Sequence, residues 1–402
     1  MAPRFRFRAA QQLAKPRGTM NAPGFLHSRR MEALIFLAGL FIFFGFLGWR
    51  MGAANLLNSM MATAYDLLTN TVFLIMSITV LSGALAKLCI EFGVLRLIEY
   101  VLRPLMRPLY NLPGVAALAS VMTFLSDNPA IMSLAHDKNF RSYFTDRELA
   151  SLPNFGTAFG MGLIVVTYMT SLGYFYAAML GVVGAATGGI VATRLMQHLC
   201  RNEFPALTDE EKQQREKHAD EEQIGFRSEG AFFERFLNSI LEGGKSGVDL
   251  GLAIIPGVLV ISTLVILTTF GPKDPAVGYQ GLAGEGVPIL TWIAEKLSFI
   301  FRWLFGFYHA ELIAFPVTSL GSVGAALSLL PEFMKNGFIT GNEVAVFTGI
   351  GMCWSGFLST YTAMYDTLGM RQCLGRAILS QIAGGVTAGM MAHFLWVLIA
   401  LF

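Results

Sequence analysis

Polar residues interrupt an apolar run in the first half of the chain. Ser126, Asp127 and Asn128 lie in this run, and Pro129 follows them. An ionisable side chain inside a membrane helix costs ~2.5–3.5 kcal/mol on insertion scales and therefore indicates a functional site. A half-helix beginning after Pro129 would point its N–H groups at the interruption, where they favour a polar or anionic ligand. We predict that Ser126, Asp127 and Asn128 bind substrate and that Asp127 also couples an ion. The alternative is that Asp127 only caps the half-helix.

A second interruption, of small residues, lies in an apolar run of similar length 195 positions downstream. Ser319, Gly321, Ser322 and Gly324 form it. Broken helices are tolerated in a membrane where they line a protein cavity, and in transporters this cavity is usually the substrate site. We predict that Ser319 and Ser322 bind substrate and that the glycines permit close approach and gating.

Each of these interruptions is followed by another weak point in the next apolar run. Asparagine donates and accepts hydrogen bonds, glycine permits close approach, and tryptophan stacks on planar rings. The alternatives are a kink caused by Pro153 alone and ordinary packing of the tryptophan. The further predicted substrate-binding residues are Asn154, Gly156, Thr157, Trp354 and Ser355.

Asp366 follows two tyrosines near the end of an apolar run. It is a second candidate for coupling transport to Na⁺ or H⁺. It could equally be a helix-end residue near the inner membrane interface.

The composition is that of a polytopic helical membrane protein. Of 402 residues, 54% are hydrophobic and 14% are charged. Apolar stretches of about 20 residues recur, which is the length that crosses a ~30 Å hydrocarbon core. The four cysteines are scattered and predict neither a disulfide framework nor a metal site. We find no nucleotide-binding or hydrolase motif, and we therefore predict no enzyme activity, no cofactor and no nucleic-acid partner.

The two halves resemble each other and predict an inverted duplication. Thr123 and Thr318, Glu148 and Glu343, and Gly156 and Gly351 are among the identical pairs that lie 195 positions apart. Residues 1–30 carry seven basic and no acidic side chains, which predicts a cytoplasmic N-terminus of a protein in the bacterial inner membrane. When the spans are counted from a cytoplasmic N-terminus, the second half has the opposite orientation in the membrane to the first half. The predicted architecture is all-α, with about seven spanning helices and two re-entrant hairpins.

We predict five regions from these patterns. A basic cytoplasmic leader (1–30), in which Met20 is an alternative start for the chain, precedes a first transmembrane helix and loop (31–65). The other regions are repeat 1 (66–200), a charged cytoplasmic linker (201–231), and repeat 2 with the last helix (232–402).

The repeats resemble the nucleoside-recognition, or Gate, domain. The stretch from Phe305 to Gly356 carries this best, through the run from Ser319 to Ala326 and the run from Phe338 to Glu343. The resemblance covers residues 66–200 and 232–395. Related domains form spore-maturation membrane proteins, transporters of the YjiG/YjiH type and the membrane core of ferrous-iron transporters. Concentrative nucleoside transporters share a similar plan of inverted repeats.

The sequence as a whole predicts an ion-coupled secondary transporter for a small polar solute, either nucleoside-like or another small organic molecule. Its substrate site is predicted at the broken helices, and its partners are the solute, the lipid membrane and either Na⁺ or H⁺. A homo-oligomer is compatible with these patterns. The alternative function is a non-transporting membrane scaffold or a partner subunit of a membrane complex.

Overall fold

The computed structural model describes residues 29–128, 130–136, 138–204 and 231–400. Most of the predicted basic leader and of the charged linker, as well as Pro129, lies outside the described residues. The chain forms one compact unit up to Arg50 and a second from Met51 onward. The first unit contributes one described helix, α1 (Arg29–Met51).

The second unit contains two successive sets of helices. The first set comprises α2 (Ala53–Asp66), α3 (Phe73–Glu91), α4 (Val94–Leu105), α5 (Ala116–Leu125), α6 (Ala130–His136), α7 (Lys138–Ser142), α8 (Asp146–Thr157), α9 (Gly162–Ser171) and α10 (Phe175–Leu199). The second set comprises α11 (Phe232–Pro256), α12 (Thr263–Thr269), α13 (Ile289–Lys296), α14 (Ser298–Phe305), α15 (Ala314–Ser319), α16 (Val323–Leu327), α17 (Leu330–Lys335), α18 (Gly341–Trp354), α19 (Phe357–Leu368) and α20 (Leu374–Ala400).

Within the described ranges, seven helical stretches are long and apolar enough to cross a membrane. This confirms the predicted all-α membrane architecture and the number of spans. The stretches are Met31–Met51, Ala53–Glu91, Asp146–Ser171, Phe175–Leu199, Phe232–Thr269, Gly341–Leu368 and Arg371–Ala400.

Two of these stretches are much longer than predicted. π-Helical turns join α2 to α3 and α11 to α12, which makes continuous helices of 39 and 38 residues. At 1.5 Å per residue each is about 57–59 Å long, well beyond a ~30 Å hydrocarbon core. The region up to residue 65, which we predicted to end in a loop, is helical from Ala53 onward. Polar side chains such as Asn58 and Thr63 lower the hydropathy, but they do not break the helix.

The helices α3 and α11 run antiparallel in close contact. The carbonyl oxygen of Gly243 lies 2.5 Å from the place that a Cβ on Gly83 would occupy. The hydroxyl of Thr79 donates a 2.8 Å hydrogen bond to the carbonyl of Gly247, and Gly251 lies against Met76. Each successive contact thus lies earlier in α3 and later in α11, as expected for antiparallel helices. Small residues permit this backbone approach, as in other membrane helix pairs.

This contact makes a testable prediction about Gly243. Its replacement by alanine would drive a Cβ into the carbonyl oxygen of Gly83, so Gly243→Ala should destabilise the protein by about 1–3 kcal/mol. The adjacent Gly244 is a matched control, because a Cβ there would lie 3.7 Å from Val80. Gly244→Ala should be neutral or stabilising by up to about 1 kcal/mol. Thermal melting in detergent compares the two variants, and equal melting temperatures would refute the close contact.

Counterpart elements of the two halves share local structure and pack in opposite directions. Thr145 begins α8 and Thr340 begins α18, each in a reciprocal capping box with the glutamate three residues later. The last helices of the halves, α10 and α20, also pack antiparallel. Gly188 contacts Gly384 and Ala388, whereas Gly184 contacts Ala388 and Ala392. Antiparallel contact between counterparts is what the predicted inverted duplication requires.

Candidate functional site

The first predicted interruption separates α5 from α6 and exposes one polar residue while burying another. Ser126 ends α5 and is exposed, and the carboxylate of Asp127 accepts a 2.7 Å hydrogen bond from the backbone N–H of Asn128. The side chain of Asn128 is completely buried. A carboxylate next to a buried amide therefore faces the core at the break.

Asn128 reaches across to the second repeat. Its side-chain amide donates a 2.8 Å hydrogen bond to the backbone carbonyl of Ser355. Ser355 ends α18 in a left-handed conformation with φ 38°, and Gly356 continues the turn with φ 71°. Left-handed backbone at a non-glycine residue is strained by about 1–3 kcal/mol and is found mainly at functional sites. The break between α18 and α19 thus contacts the break between α5 and α6.

Two polar atoms at this contact have no hydrogen-bond partner among the described residues. They are Oδ1 of Asn128 and Oγ of Ser355, and both are buried. A buried polar atom without a partner costs about 1–3 kcal/mol. A Cβ on Gly160, between α8 and α9, would collide with Asn128 and Ser355, so only glycine fits there. This third break therefore packs directly against the two unpaired atoms.

The second predicted interruption, between α15 and α16, joins the same centre. The backbone N–H of Gly356 donates a 2.8 Å hydrogen bond to the carbonyl of Ser319, and the N–H of Leu358 donates a 3.1 Å bond to the carbonyl of Leu320. The hydroxyl of Ser319 donates to a carbonyl within its own helix. Ser322 caps the start of α16, where its hydroxyl accepts a hydrogen bond from the backbone N–H of Ala325. All four helix breaks therefore meet in one place, which we call the break centre: the residues between α5 and α6, α8 and α9, α15 and α16, and α18 and α19.

The predicted residues of α8 lie beside the break centre rather than in it. Gly156 packs against the side chain of Ile131, with no room for a Cβ. Thr157 is buried and lies beside Tyr361. Both residues pack α8 against neighbouring helices, and this close packing holds the break at Gly160 in position.

Asn154 takes part in a buried polar network that the sequence did not reveal. Its amide donates 2.9 Å hydrogen bonds to the carbonyl of Ala377 and to the side chain of Gln381. Its oxygen accepts a 2.9 Å bond from the hydroxyl of Tyr365. Gln381 also accepts a 2.7 Å bond from the hydroxyl of Tyr361. The network therefore joins α8, α19 and α20. In this conformation the amide nitrogen and the oxygen of Asn154 are already hydrogen-bonded within the protein.

Trp354 belongs to the same network. Its indole N–H donates a 2.9 Å hydrogen bond to the carbonyl of Gln381, and its ring fills the space above Gly385. A Cβ on Gly385 would collide with this ring. These contacts of Trp354 are those of a packing residue, which we gave as the alternative to a tryptophan that stacks on a substrate.

Asp366 lies away from the break centre, near the end of α19. Its carboxylate is 43% exposed and lies 3.5 Å from the guanidinium of Arg371. Exposed ion pairs of this kind contribute about 0–1 kcal/mol. The position matches the helix-end interpretation of Asp366.

Seven membrane-length helices and four breaks that meet in the core define this chain as a multi-pass helical membrane protein. The fold is similar to that of CNTnw in an inward-facing substrate-bound state, with a TM-score of 0.50 and 12% sequence identity, over 92% of this chain and 85% of that one. A CNTnw variant in an outward-facing state gives a TM-score of 0.49 at 12% identity, over 90% of this chain and 86% of that one. Similarity at this identity shows the fold alone.

Two curated proteins are similar to part of the sequence. The sporulation integral membrane protein YlbJ of Bacillus subtilis is 31% identical over 143 residues, which are 31% of this chain and 34% of YlbJ. An uncharacterized protein of Alkalihalophilus pseudofirmus is 29% identical over 176 residues, which are 40% of this chain and 35% of that protein. The chain thus spans about a third of the length of each relative. No family model matches the sequence, so the Gate-domain assignment stays a prediction.

Proposed function

We propose that the protein is a secondary transporter for a small polar solute and that the break centre binds this solute. The observation that carries the proposal is the contact between Asn128 and Ser355, which joins two broken helices from opposite repeats. It leaves an amide oxygen and a hydroxyl buried without a partner. A solute with hydrogen-bond donors would satisfy both atoms, which explains why the chain retains them.

The proposed site contains polar residues that lie in the break centre or next to it. Ser126, Asp127, Asn128, Ser319, Ser322 and Ser355 form it. Asp127 is the proposed site of a coupling Na⁺ or H⁺, since a carboxylate at membrane depth is well suited to bind a cation. Asn154, Gly156, Thr157 and Trp354 hold the surrounding helices in place. We leave Asp366 out of the proposed site, because it lies away from the break centre, beside Arg371.

The present conformation closes the proposed site. Asn128 is completely buried and Ser355 is almost completely buried, so the breaks must separate before a solute can enter. In transporters with inverted repeats, movement of one bundle against the other opens such a site alternately to the two sides. We propose the same movement here. We also propose that the N-terminus is cytoplasmic, as the basic residues before α1 favour.

The transport proposal is supported by the fold shared with CNTnw, which has been described in a substrate-bound state. The proposed solute is nucleoside-like or another small organic molecule, with hydroxyl or amide groups that would pair with the unpaired atoms of Asn128 and Ser355. This class is part of the proposal, because fold similarity by itself does not establish a substrate.

A ligand screen by thermal melting tests this function. Nucleosides, nucleobases, amino acids and carboxylates are added to the purified protein, with and without Na⁺ and at two pH values. A solute at 100 times its Kd should stabilise the fold by about 2.7 kcal/mol. The Asn128→Ala variant is the matched control and should show a clearly smaller shift at the same solute concentration. No stabilisation by any class, together with a membrane protein that co-purifies, would favour the scaffold function instead.

A further inference from the structure

Two cysteines far apart in the sequence meet at the ends of the counterpart helices α10 and α20. Cys200 directly follows α10, and Cys373 directly precedes α20. Both side chains are completely buried. Glu203 lies three residues after Cys200 and is more exposed, so the group is reachable from solvent on one side. We call these three residues the Cys-Glu cluster.

The Cys-Glu cluster is compact enough to share one ion. The two sulfur atoms and a carboxylate oxygen of Glu203 all lie within 4.8 Å of one another. The thiol of Cys373 lies 3.4 Å from this carboxylate and donates a hydrogen bond to it. Sulfur–zinc bonds of about 2.3 Å and oxygen–zinc bonds of about 2.0–2.2 Å fit within such a triangle after small side-chain rotations.

The chemistry of the donor atoms favours zinc. Cysteine thiolates select Zn²⁺ over the hard cations Mg²⁺ and Ca²⁺, and a carboxylate completes three protein ligands with a fourth, open position for water. Two thiolates and one carboxylate carry three negative charges, so the bound ion would leave one negative charge. Arg376 lies 2.7 Å from the second carboxylate oxygen of Glu203 and balances this charge.

Arg376 also prepares the carboxylate as a ligand. Its guanidinium lies 2.7 Å from one carboxylate oxygen of Glu203 and fixes the position of this side chain beside the two cysteines. Residues that hydrogen-bond to metal-binding side chains orient these side chains and adjust the affinity for the metal. Arg376 itself lies on α20, so the cluster, its counter-charge and the end of α10 are held together.

We propose that Cys200, Glu203 and Cys373 form a zinc site that joins the last helices of the two repeats. The site lies where the chain leaves α10 for the segment between the repeats, outside the break centre. Its zinc ties the end of α10 to the start of α20 and is not transported. The proposal is independent of the proposed transport function.

Metal binding to the purified full chain tests the proposal directly. The protein is prepared without a polyhistidine tag, and Zn²⁺ is measured by elemental analysis after dialysis against a weak chelator. We expect about one equivalent of Zn²⁺ per chain, because three protein ligands suffice for one site. Co²⁺ in place of Zn²⁺ should produce the thiolate charge-transfer band of a cobalt–sulfur site.

The variant Cys200→Ser with Cys373→Ser should lose both the bound Zn²⁺ and the cobalt–sulfur band. Cys89→Ser is the matched control, since Cys89 lies in α3, outside the cluster, and should leave both signals intact. If the double variant does not fold, the cobalt spectrum of the unaltered protein decides the question. Absence of the band, retention of Zn²⁺ by the double variant, or a disulfide between Cys200 and Cys373 by mass spectrometry would each overturn the proposal.

Discussion

Replacing Asn128 by alanine is expected to decrease solute uptake strongly while the protein remains folded. The substitution removes the hydrogen bond to the carbonyl of Ser355 and the unpaired oxygen that we assign to the solute. Loss of a buried hydrogen bond of about 1–3 kcal/mol to a bound solute corresponds to a decrease in transport efficiency of about 5–150-fold. Uptake of radiolabelled solute into reconstituted vesicles measures this decrease.

The stability of the same variant should change little. The alanine removes one satisfied hydrogen bond, but it also removes a buried oxygen that has no partner, and the two effects oppose each other. We expect a net loss of about 1 kcal/mol in the free energy of unfolding.

An asparagine outside the break centre serves as the control. Asn336→Ala deletes an exposed amide whose hydrogen bond goes to the carbonyl of Glu332 in the preceding turn, and it should transport normally. Asp127→Ala, assayed in parallel, should also lose uptake. Normal transport by both the Asn128 and Asp127 variants would show that the solute binds elsewhere.

Replacing Gln381 by leucine is expected to destabilise the fold more than any other single change proposed for this chain. The side chain of Gln381 is completely buried, accepts hydrogen bonds from Asn154 and Tyr361, and donates one to the carbonyl of Cys353. Leucine has a similar volume, so the substitution removes hydrogen bonds without opening a large cavity. Three buried partners lose a hydrogen bond, and at about 1–3 kcal/mol for each group left unpaired the total is several kcal/mol.

Thermal melting in detergent measures this loss, and Gln280→Leu is the comparison. Gln280 carries an exposed side chain in the loop before α13, where substitutions usually change stability by no more than about 0.5 kcal/mol. If Gln381→Leu and Gln280→Leu have the same melting temperature, the network does not stabilise the packing of α8, α19 and α20.

The sequence predicted the membrane architecture because hydropathy and helix-breaking residues are local signals. Seven spans, the interruption at Asp127 and that at Ser322 follow from composition and spacing. The long helix from Ala53 to Glu91 did not follow, because its first turns carry polar residues that mimic a loop on a hydropathy scale. Helix continuity there depends on the absence of glycine and proline between Ala53 and Ser82.

The partners of the site residues could not be predicted in the same way. Gln381 lies in an apolar run that gives no sign of a polar network, and it meets Asn154 only because α8 and α20 pack together. Gly160 is one of 42 glycines, and its fit against Asn128 and Ser355 depends on contacts between the repeats. Residues of this kind could be recognised only from the folded chain.

If the protein transports a solute as proposed, the predicted inverted duplication implies that the two ends of its cycle are unequal. Positions 195 apart are counterparts, so Asn128 corresponds to Val323 and Ser355 corresponds to Gly160. In an alternating cycle the two repeats exchange conformations, and the contact between Asn128 and Ser355 would give way to one between Val323 and Gly160. The second pair has no side-chain hydrogen bond to offer. In the proposed cycle the conformation described here would therefore have one hydrogen bond between the repeats, from Asn128 to the carbonyl of Ser355, that its counterpart conformation lacks.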